Sequence, residues 1–332
     1  FDILSGTYQE DVIIDSIPGS SSINTITFQS QSGNWDDVIW EENQNDFALN
    51  LITLNNSDYI TFKNISFRTT DFTVRRIFSL NQNCNGINIL SNKLNAISFF
   101  DTPAYAVNSD NAQTTDLKIN NNIINANFGI SSNTISASRT QIINNQINAA
   151  KGIILNNHDS LQIENNNIMV GVSLVFPDYI SGLAISISGC NEYFKISKNK
   201  ISSLGSRFAN SGCIIIDSSI CQNSVIVNNF LYYGVSEQGG FGLSISNSSG
   251  INVYYNTIQA NLGLSGIGSC TKFTLASTSQ CNVKNNIFGG VRTSFNNSFN
   301  SSLVSDFNSF YFTPPITFGY NIVYNGTGYT NL

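Results

Sequence analysis

The sequence predicts an all-β fold, and specifically a right-handed parallel β-helix, a solenoid of roughly ten coils. Three observations carry this prediction: an Asn-containing phrase recurs along the chain, apolar residues alternate over short runs, and turn residues separate those runs. A recurring period of this size is typical of solenoids, in which each repeat buries its apolar face against its neighbours. Alternation with a period of two indicates strands rather than helices.

The recurring phrase has the form L-x-I-x-N-N-x-I, as in "LKINNNII" from Leu117 and "LQIENNNI" from Leu161. Its second Asn serves as a marker, and the markers are Asn92, Asn122, Asn145, Asn166, Asn199, Asn229, Asn256 and Asn286. Asn tolerates left-handed backbone angles and hydrogen-bonds the turn that contains it. We therefore expect the markers to occupy corners and to stack as an Asn ladder, each amide bonded to the same residue one coil away.

A second short strand follows each marker, and in several intervals it opens with glycine, as in "GIILNN" from Gly152 and "GLSIS" from Gly242. Two or three strands per interval make one coil, which pairs with the coils above and below at about 4.8 Å. The distance from marker to glycine varies from 7 residues (Asn145 to Gly152) to 16 residues (Asn166 to Gly182). Insertion loops are therefore expected on one side of the helix, where repeat proteins place their binding loops.

The phrase also divides the chain. Residues 1–56 are rich in strands but lack the phrase, residues 57–290 carry the regular coils, and residues 291–332 lose the period. We interpret the first segment as N-terminal entry and capping coils and the last as an irregular C-terminal coil or cap, because an uncovered terminal coil exposes an unpaired strand edge. All three belong to one continuous domain in this prediction. A longer native chain, extending beyond residues 1–332, is the alternative for the ends.

Composition excludes two classes of partner. The formal net charge is -6 and Lys and Arg do not cluster, so the electrostatic footprint of nucleic-acid binding is missing. No run of about 18 apolar residues occurs, so we expect no direct membrane insertion. The chain starts at Phe1 without a signal-like segment, which predicts a mature or excised piece.

The opening segment "SGTYQEDVIIDSIPGSSSINTITFQSQSGNWDDVIW" and the phrase "YITFKNISF" resemble the entry segment and first regular coil of large cell-surface β-helix proteins of Bacteroidetes, which are exported by the type IX route. The I-x-N-N-x-I and G-I-x-I phrases are shared more widely with the pectate-lyase-like repeat superfamily. The resemblance covers nearly the whole chain and implies a secreted or cell-surface location. It implies little about activity, because the fold hosts lyases, hydrolases, esterases, adhesins and structural rods.

Aromatic residues in and beside the insertion loops are the candidate ligand-binding residues, since flat apolar rings suit the faces of sugars. They are Phe99, Phe100, Tyr105, Phe176, Tyr179, Phe208, Tyr232, Tyr233 and Phe241. The alternative is that these rings pack the loops onto the coils.

Catalytic candidates are few. Glycoside hydrolysis needs two carboxyl groups about 5 to 9.5 Å apart, and a β-eliminating lyase needs a base and commonly a calcium cage. The loops offer Asp101, Asp178 and Glu237 as acids and Arg207 as a base. The densest acidic patch holds Asp36 and Asp37, which are weak candidates for calcium, although turn chemistry also explains them. We otherwise expect no cofactor.

The chain has one histidine, His158, so histidine-rich metal sites are excluded. The segment "NNHDS" around it predicts a turn position. The cysteines match no zinc pattern. Cys190 and Cys221 have nearly the same phase in adjacent coils, close to the separation that a disulfide needs, and Cys270 and Cys281 are spaced to close a local loop.

The sequence therefore favours an extracellular display or adhesion module whose partner is a glycan or another surface molecule. One alternative is a polysaccharide lyase or glycoside hydrolase. Another is a structural rod or filament subunit, which would self-associate.

Overall fold

The computed structural model describes residues 1–42, 49–69, 76–97, 104–110, 112–171, 182–204, 211–234, 240–260, 269–275, 280–290, 293–297, 302–312, 322–324 and 327–329. Contacts between Cα atoms group the chain into two compact units. The first unit comprises Phe1–Gln162 and Ser173–Val175, and the second comprises Ile163–Val172 and Phe176–Leu332. The predicted organisation as one continuous domain with terminal caps stays a prediction. In the described part of the chain, no helix has the length and apolar character needed to cross a membrane.

Each coil contributes strands to three faces, which we number in the order in which the chain visits them. Face 1 holds the strand before each ladder Asn and, in the first coils, the strands that pair with it. In the first unit these strands are β1 (Asp2–Ile3), β4 (Ile26–Ser30), β7 (Ile60–Lys63), β11 (Asn88–Leu90), β15 (Lys118–Asn120) and β17 (Gln141–Ile143). The boundary between the units falls within β19 (Leu161–Glu164). In the second unit they are β22 (Phe194–Ser197), β25 (Ile220–Val227), β28 (Ser249–Tyr254), β31 (Gln280–Lys284) and β34 (Ser302–Asp306).

Face 2 holds the strand after each ladder Asn and, in the first coils, the strands that pair with it. In the first unit these strands are β2 (Gly6–Gln9), β5 (Val38–Glu41), β8 (Ser66–Arg68), β12 (Lys93–Ala96) and the beginnings of β16 (Ile123–Ser138) and β18 (Gln146–Asp159). In the second unit they are β20 (Asn167–Val170), β23 (Lys200–Ser203), β26 (Phe230–Tyr233), β29 (Thr257–Ala260), β32 (Ile287–Gly290) and β35 (Ser309–Phe312).

Face 3 follows, and β16 and β18 continue from face 2 into it. Its other strands are β3 (Val12–Ile14), β6 (Asn50–Asn55), β9 (Arg76–Asn81) and β13 (Tyr105–Asp110) in the first unit, and β21 (Leu183–Ser188), β24 (Ser211–Asp217), β27 (Gly240–Ser246), β30 (Ser269–Leu275), β33 (Thr293–Asn297) and β36 (Ile322–Tyr324) in the second. The remaining elements are β10 (Asn83–Asn85), β14 (Gln113–Thr115), β37 (Thr327–Tyr329) and the 3-10 helix Trp35–Asp37.

Parallel pairing between successive coils defines the fold. On face 1 of the first unit the strand order is β1-β4-β7-β11-β15-β17, and on face 3 β13 pairs in parallel with both β9 and β16. The second unit repeats this pattern, for example β24 with β27 and β27 with β30. The pair β36–β37 is antiparallel. The chain is therefore a right-handed parallel β-helix, as predicted, because parallel crossover connections are almost always right-handed.

Inward side chains stack in register and form the core. Ile89 lies beside Ile119, and Ile119 beside Ile142, and all three are fully buried. Aromatic rings stack in the same way, with the centroids of Phe28 and Phe62 5.3 Å apart. Each fully buried Ile contributes about 2 kcal/mol of burial free energy, so alternation along every strand accounts for the stability of the stack.

The ladder is present and answers why the phrase contains two adjacent Asn residues. Asn122 accepts a hydrogen bond from the backbone N of Asn92 (2.8 Å) and donates from Nδ2 to Oδ1 of Asn145 (3.0 Å). The preceding residue, Asn121, has φ of 61°, the left-handed conformation that Asn adopts most readily among residues with a side chain. The first Asn thus turns the chain, and the second bonds to the next coil.

The same arrangement recurs in the second unit and extends further than the phrase. Asn166, Asn199, Asn229 and Asn256 each donate a backbone N–H to the Oδ1 of the next ladder Asn, at 2.9 Å in every case. Asn286 does the same to Asn308. The ladder therefore continues into the segment where the sequence loses its period. Asn308 is not preceded by another Asn, but it keeps the corner geometry.

Candidate functional site

Most of the predicted loop residues fall outside the described part of the chain. These are the aromatic residues Phe99, Phe100, Phe176, Tyr179 and Phe208 and the catalytic candidates Asp101, Asp178, Arg207 and Glu237. Among the remaining aromatic candidates, Tyr105, Tyr232 and Phe241 are partly exposed. The predicted catalytic and loop-binding roles stay predictions.

Tyr233 is different, and its predicted role in ligand binding is wrong. Its side chain is fully buried, and its hydroxyl hydrogen-bonds to Oγ of Ser211 (2.5 Å). The reason is the alternation that starts at ladder Asn229, since Leu231 and Tyr233 point inward and Tyr232 points outward. Tyr233 is a core residue.

The carboxylates of the acidic patch make hydrogen bonds within a turn and an ion pair with a lysine. Asp37 accepts hydrogen bonds from Oγ of Ser32 (2.6 Å) and Nδ2 of Asn34 (3.2 Å), and Oδ1 of Asp36 lies 3.4 Å from Nζ of Lys93. Among the residues that the structure describes, no three His, Cys, Asp or Glu side chains gather as metal ligands. The turn interpretation accounts for these carboxylates, and calcium binding stays a prediction.

The predicted disulfide between Cys190 and Cys221 is not formed, and both side chains are buried. Sγ of Cys221 points to the carbonyl O of Cys190 (3.2 Å) rather than to its sulfur, so no bond joins the two. Cys281 is also free and buried, and burial raises the pKa of its thiol to about 12. The side chain of Cys270, its predicted partner, lies outside the described residues.

His158 lies near the end of strand β18, directly after Asn157, whose φ of 58° bends the chain as the turn interpretation predicts. Its ring is fully buried, which the sequence did not indicate. Its Nε2 lies 2.7 Å from Oγ of Ser132 and its Nδ1 lies 3.1 Å from Oγ1 of Thr140. Ser132 donates its hydroxyl hydrogen to the carbonyl O of Ser109 (3.4 Å), so it accepts from Nε2–H and leaves Nδ1 to accept from Thr140. Burial lowers the pKa of His158 to about 4, and the ring is therefore neutral at physiological pH.

A partly exposed row of four side chains is the best-defined site on the described surface. Arg76 pairs in register with Tyr105, Tyr105 with Phe128, and Phe128 with Lys151, so each comes from the next coil of the first unit. All four lie at the beginning of face 3, next to the corner where the insertions occur. We call these four residues the outer row.

The rings and cations of the outer row contact one another. The ring centroids of Tyr105 and Phe128 are 4.8 Å apart with an interplanar angle of 38°. The guanidinium carbon of Arg76 lies 5.8 Å from the Tyr105 centroid, and Nζ of Lys151 lies 5.0 Å from the Phe128 centroid. The four side chains therefore form one stack, in which the two rings pack against each other and each cation covers the outer face of a ring. The ring edges are what the stack leaves at the surface.

Neither cation is neutralised by a carboxylate of the described residues. Arg76 donates from Nη1 to Oδ1 of Asn50 (3.3 Å), while its Nε is buried without a hydrogen-bond partner in that part of the chain. Burial lowers the pKa of Lys151, which is the effect of a charge held partly away from water. Burial also raises the pKa of Tyr105, with a further increase from Asp110 and an opposing effect of Arg76.

The second unit has a smaller version of the same arrangement. Phe241 stands two residues before Leu243, as Phe128 stands two residues before Ile130, and both Leu243 and Ile130 are buried face 3 residues. Nζ of Lys272 lies 5.3 Å from the Phe241 centroid. A ring thus stands at this coil position in both units, but the lysine positions differ, because Lys151 pairs in register with Phe128 and Lys272 pairs with Ser244.

Sequence reasoning missed Arg76, Phe128, Lys151 and Lys272. A signal for two of them was present, because Phe128 and Lys151 each stand directly before a glycine that opens a second strand, as Phe241 does. Phe128 and Lys151 lie in intervals of only 7 residues between the ladder Asn and the glycine, so no insertion marks them.

Chemically, the outer row can bind but offers little for catalysis. The ring edges offer apolar contact, and guanidinium and ammonium groups donate hydrogen bonds to hydroxyl or acidic groups. Its four side chains include no carboxyl pair, which glycoside hydrolysis would need.

No protein-family model matches this chain, and no curated protein matches it. One solved structure with a detectable likeness is the crystal structure of a periplasmic alginate epimerase, a double mutant, at 13% identity and a TM-score of 0.30. The match covers 93% of this chain and 76% of the epimerase chain. At that TM-score the likeness has no bearing on function, and the fold assignment rests on the strand pairing described above.

Proposed function

We propose that this chain is a carbohydrate-binding β-helix module that acts in display or adhesion outside the cytoplasm. The observation that carries the proposal is the pair of partly exposed rings, Tyr105 and Phe128, held 4.8 Å apart in register on neighbouring coils. The exposed edges of this stack place apolar ring atoms beside a guanidinium and an ammonium group, a combination that suits a glycan, which has both apolar patches and hydroxyl groups.

Rigid support for the rings favours binding over simple packing. Phe128 is part of β16, which pairs along most of its length with β18, and the preceding coil supplies Tyr105 from β13. Aromatic side chains fixed on paired strands lose little conformational entropy when a ligand binds, and this reduces the cost of association. The row also adjoins the insertion corner, where repeat proteins place their binding surfaces.

The proposal includes an extracellular glycan or another surface molecule as partner and a secreted or cell-surface location. It requires no cofactor, because stacking and hydrogen bonding suffice for binding of this kind.

A glycan panel tests the proposal. Binding of the intact protein to immobilised neutral and acidic polysaccharides is measured by biolayer interferometry, together with Tyr105→Ala and Phe128→Ala. We expect a loss of affinity of about tenfold or more for each variant, since stacking of a ring is worth about 1 kcal/mol or more beyond its burial. Tyr193→Ala, at a residue that is 39% exposed in the second unit, is the matched control and should leave binding unchanged.

Two results would contradict the proposal. The first is no binding to any polysaccharide of the panel by a protein whose circular dichroism spectrum shows the folded β structure. The second is binding that Tyr105→Ala and Phe128→Ala leave unchanged, which would assign these rings to packing of the loops.

A further inference from the structure

We propose that the second unit carries a self-association surface, through which two copies of this chain pair about a two-fold axis at Tyr255. The surface is formed by Phe230, Tyr255, Ile287 and Phe307, and we call these four residues the corner ridge. It is independent of the proposed glycan binding, which uses side chains of the first unit.

Large apolar side chains are exposed on four successive coils of the second unit. The exposed fractions are 48% for Phe230, 59% for Tyr255, 50% for Ile287 and 76% for Phe307. Each residue stands directly before or directly after a ladder Asn, so all four lie at the corner between faces 1 and 2. Among the described residues, none of the three rings contacts another ring or a cation. Four side chains of this size and exposure offer on the order of 400 Å² of apolar surface, and a patch of that size often marks an interaction site.

The backbone at two members of the corner ridge is strained. Tyr255 has φ of 56° and Phe307 has φ of 52°, the left-handed region that bulky residues rarely adopt. The same corner position in seven other coils holds a small polar residue, namely Asn64, Ser91, Asn121, Asn144, Asn165, Asn228 and Asn285. Asn would therefore serve the fold better at both positions. The fold gains little from an exposed ring in return for this strain, whereas burial of the ring against a partner offsets it.

The symmetry of the corner ridge identifies the partner as a second copy. Phe230, Thr257 and Ile287 pair in register on successive coils, and Thr257 belongs to the coil of Tyr255. Phe230 and Ile287 thus lie one coil step, about 4.8 Å, on either side of the Tyr255 coil. A two-fold axis at Tyr255, perpendicular to the direction of coil stacking, brings the two Tyr255 side chains together and sets Phe230 of each copy against Ile287 of the other. Matching of one patch with itself is the property of a closed two-fold dimer.

Charges at the two ends of the corner ridge favour the same arrangement. Two coil steps before Tyr255, Lys198 shares the carboxylate of Glu164 with a second lysine, at 3.1 and 3.2 Å, and this end therefore keeps a positive charge. Two coil steps after Tyr255, Asp306 is exposed and makes no ion pair with any described residue, its register neighbour Lys284 included. The axis at Tyr255 sets the lysine end of one copy against Asp306 of the other, whereas a parallel pair would set like ends together.

Sedimentation velocity of the intact protein tests the pairing. Between about 5 and about 500 µM we expect a shift from monomer to dimer, since a contact of this size belongs to the weak, transient class. Tyr255→Asn introduces the residue that most coils have at this corner, so it should fold at least as stably as the parent and dimerise about tenfold more weakly or less. Ile220→Asn is the matched control, because Ile220 is 67% exposed at the beginning of β25, away from the corner ridge. It should dimerise as the parent does.

Charge reversal and cross-linking test the position of the axis. Lys198→Glu and Asp306→Lys should each weaken dimerisation by about threefold or more, and the double variant should recover most of the loss, because the exchanged charges again lie opposite each other. Tyr255→Cys should form a disulfide-linked dimer on mild oxidation, since the axis brings residue 255 of the two copies within reach of a disulfide. Ile220→Cys should stay unlinked.

Several results would overturn the proposal. They are a protein that stays monomeric over the whole concentration range, a dimer that Tyr255→Asn leaves unchanged, and charge reversals whose losses add in the double variant. Another is binding of a polysaccharide, or of phosphatidylcholine vesicles containing phosphatidylserine, that Tyr255→Asn abolishes in a monomeric protein, because the corner ridge would then serve that ligand. The glycan assay of Tyr105→Ala and Phe128→Ala is unaffected by these outcomes, so the proposed function is tested separately.

Discussion

Two rows of side chains run through the same coils of the first unit, one inside and one outside. The inner row is the ladder of Asn92, Asn122 and Asn145, which are buried and identical. The outer row keeps the same kind of register between neighbouring coils but changes its side chain at every step, from Arg76 to Lys151.

This difference distinguishes a structural position from an adaptable one. Each ladder Asn bonds to backbone groups and to the next Asn, so only one side chain meets the geometry, and it recurs. At the outer row the fold requires only that the backbones pair, so the side chains there can vary to suit a ligand. Repetition at a fixed register position therefore points to folding, and variation shows that the fold leaves the side chain open.

Loss of a ladder rung should have the largest effect. Asn122→Ala leaves the buried N–H of Asn92 and the buried C=O of Ile89 without their side-chain partner, and we expect a loss of about 4 kcal/mol in the free energy of unfolding. Urea denaturation followed by circular dichroism measures it. Asn125→Ala, which removes a partly exposed amide bonded to Asn95 and Asn148, is the control and should cost less than about 1 kcal/mol. Equal losses of unfolding free energy in the two variants would contradict the distinction between structural and adaptable positions.

His158 provides the next largest effect, as a dependence on pH. Its pKa is 6.5 in the unfolded chain and about 4 in the folded one, so the unfolded chain binds the proton more tightly. The resulting stability is fully present above pH 6.5 and is lost as pH falls through about 4, on the order of 3 kcal/mol in all. His158→Gln should flatten the pH dependence of the urea midpoint between about pH 5 and 6.5, where most carboxylates remain ionised. An unchanged slope would argue against a buried neutral ring.

Tyr233 and Tyr105, which were both ligand-binding candidates in the sequence, should differ in their effect on stability, by less than the two changes above. Tyr233→Phe removes the hydroxyl that bonds Ser211 and should cost about 1 kcal/mol of stability without changing glycan affinity. Tyr105→Phe should leave stability unchanged within about 0.5 kcal/mol. Thermal unfolding and the binding assay are measured on the same samples, and a change in affinity for Tyr233→Phe would contradict its assignment to the core.

Lys151→Met should have the smallest effect on stability, within about 0.5 kcal/mol. Methionine keeps an apolar stem against Phe128 and removes a partly desolvated charge, so the two contributions offset each other. A destabilisation above about 1 kcal/mol, measured by urea denaturation, would mean that the lysine supports the fold and would weaken the contrast between the two rows.

The fold could be predicted from the sequence because its signals are local and repeated. The ladder Asn residues and the alternation of apolar residues recur within each coil, and each needs knowledge of only a few neighbours. The same counting would have identified Tyr233 as buried, since it lies an even number of residues after Asn229. Asn308 escaped detection because Phe307 takes the left-handed position usually held by Asn.

The site could not be predicted in the same way. Arg76 and Tyr105 are 29 residues apart, whereas Tyr105, Phe128 and Lys151 follow at intervals of 23 residues, so the coil lengths must be known before the row is visible. His158 follows the bend at Asn157 that its polar neighbours predict, but those neighbours give no sign that its ring points inward. Polar composition reveals neither the outer row nor the burial of His158, whereas the register of the strands determines both.

The ladder has one more consequence, for how such a chain can change its length. Asn92 meets Asn122 in the same way as Asn122 meets Asn145, through a backbone N–H and a side-chain carbonyl. Residues 122–144 thus form an interchangeable cassette, and its removal would bring Asn145 to the position where Asn92 finds its acceptor. Excision or duplication of whole coils would then shorten or lengthen the outer row by one side chain at a time, so the reach of the binding face is set by counting coils.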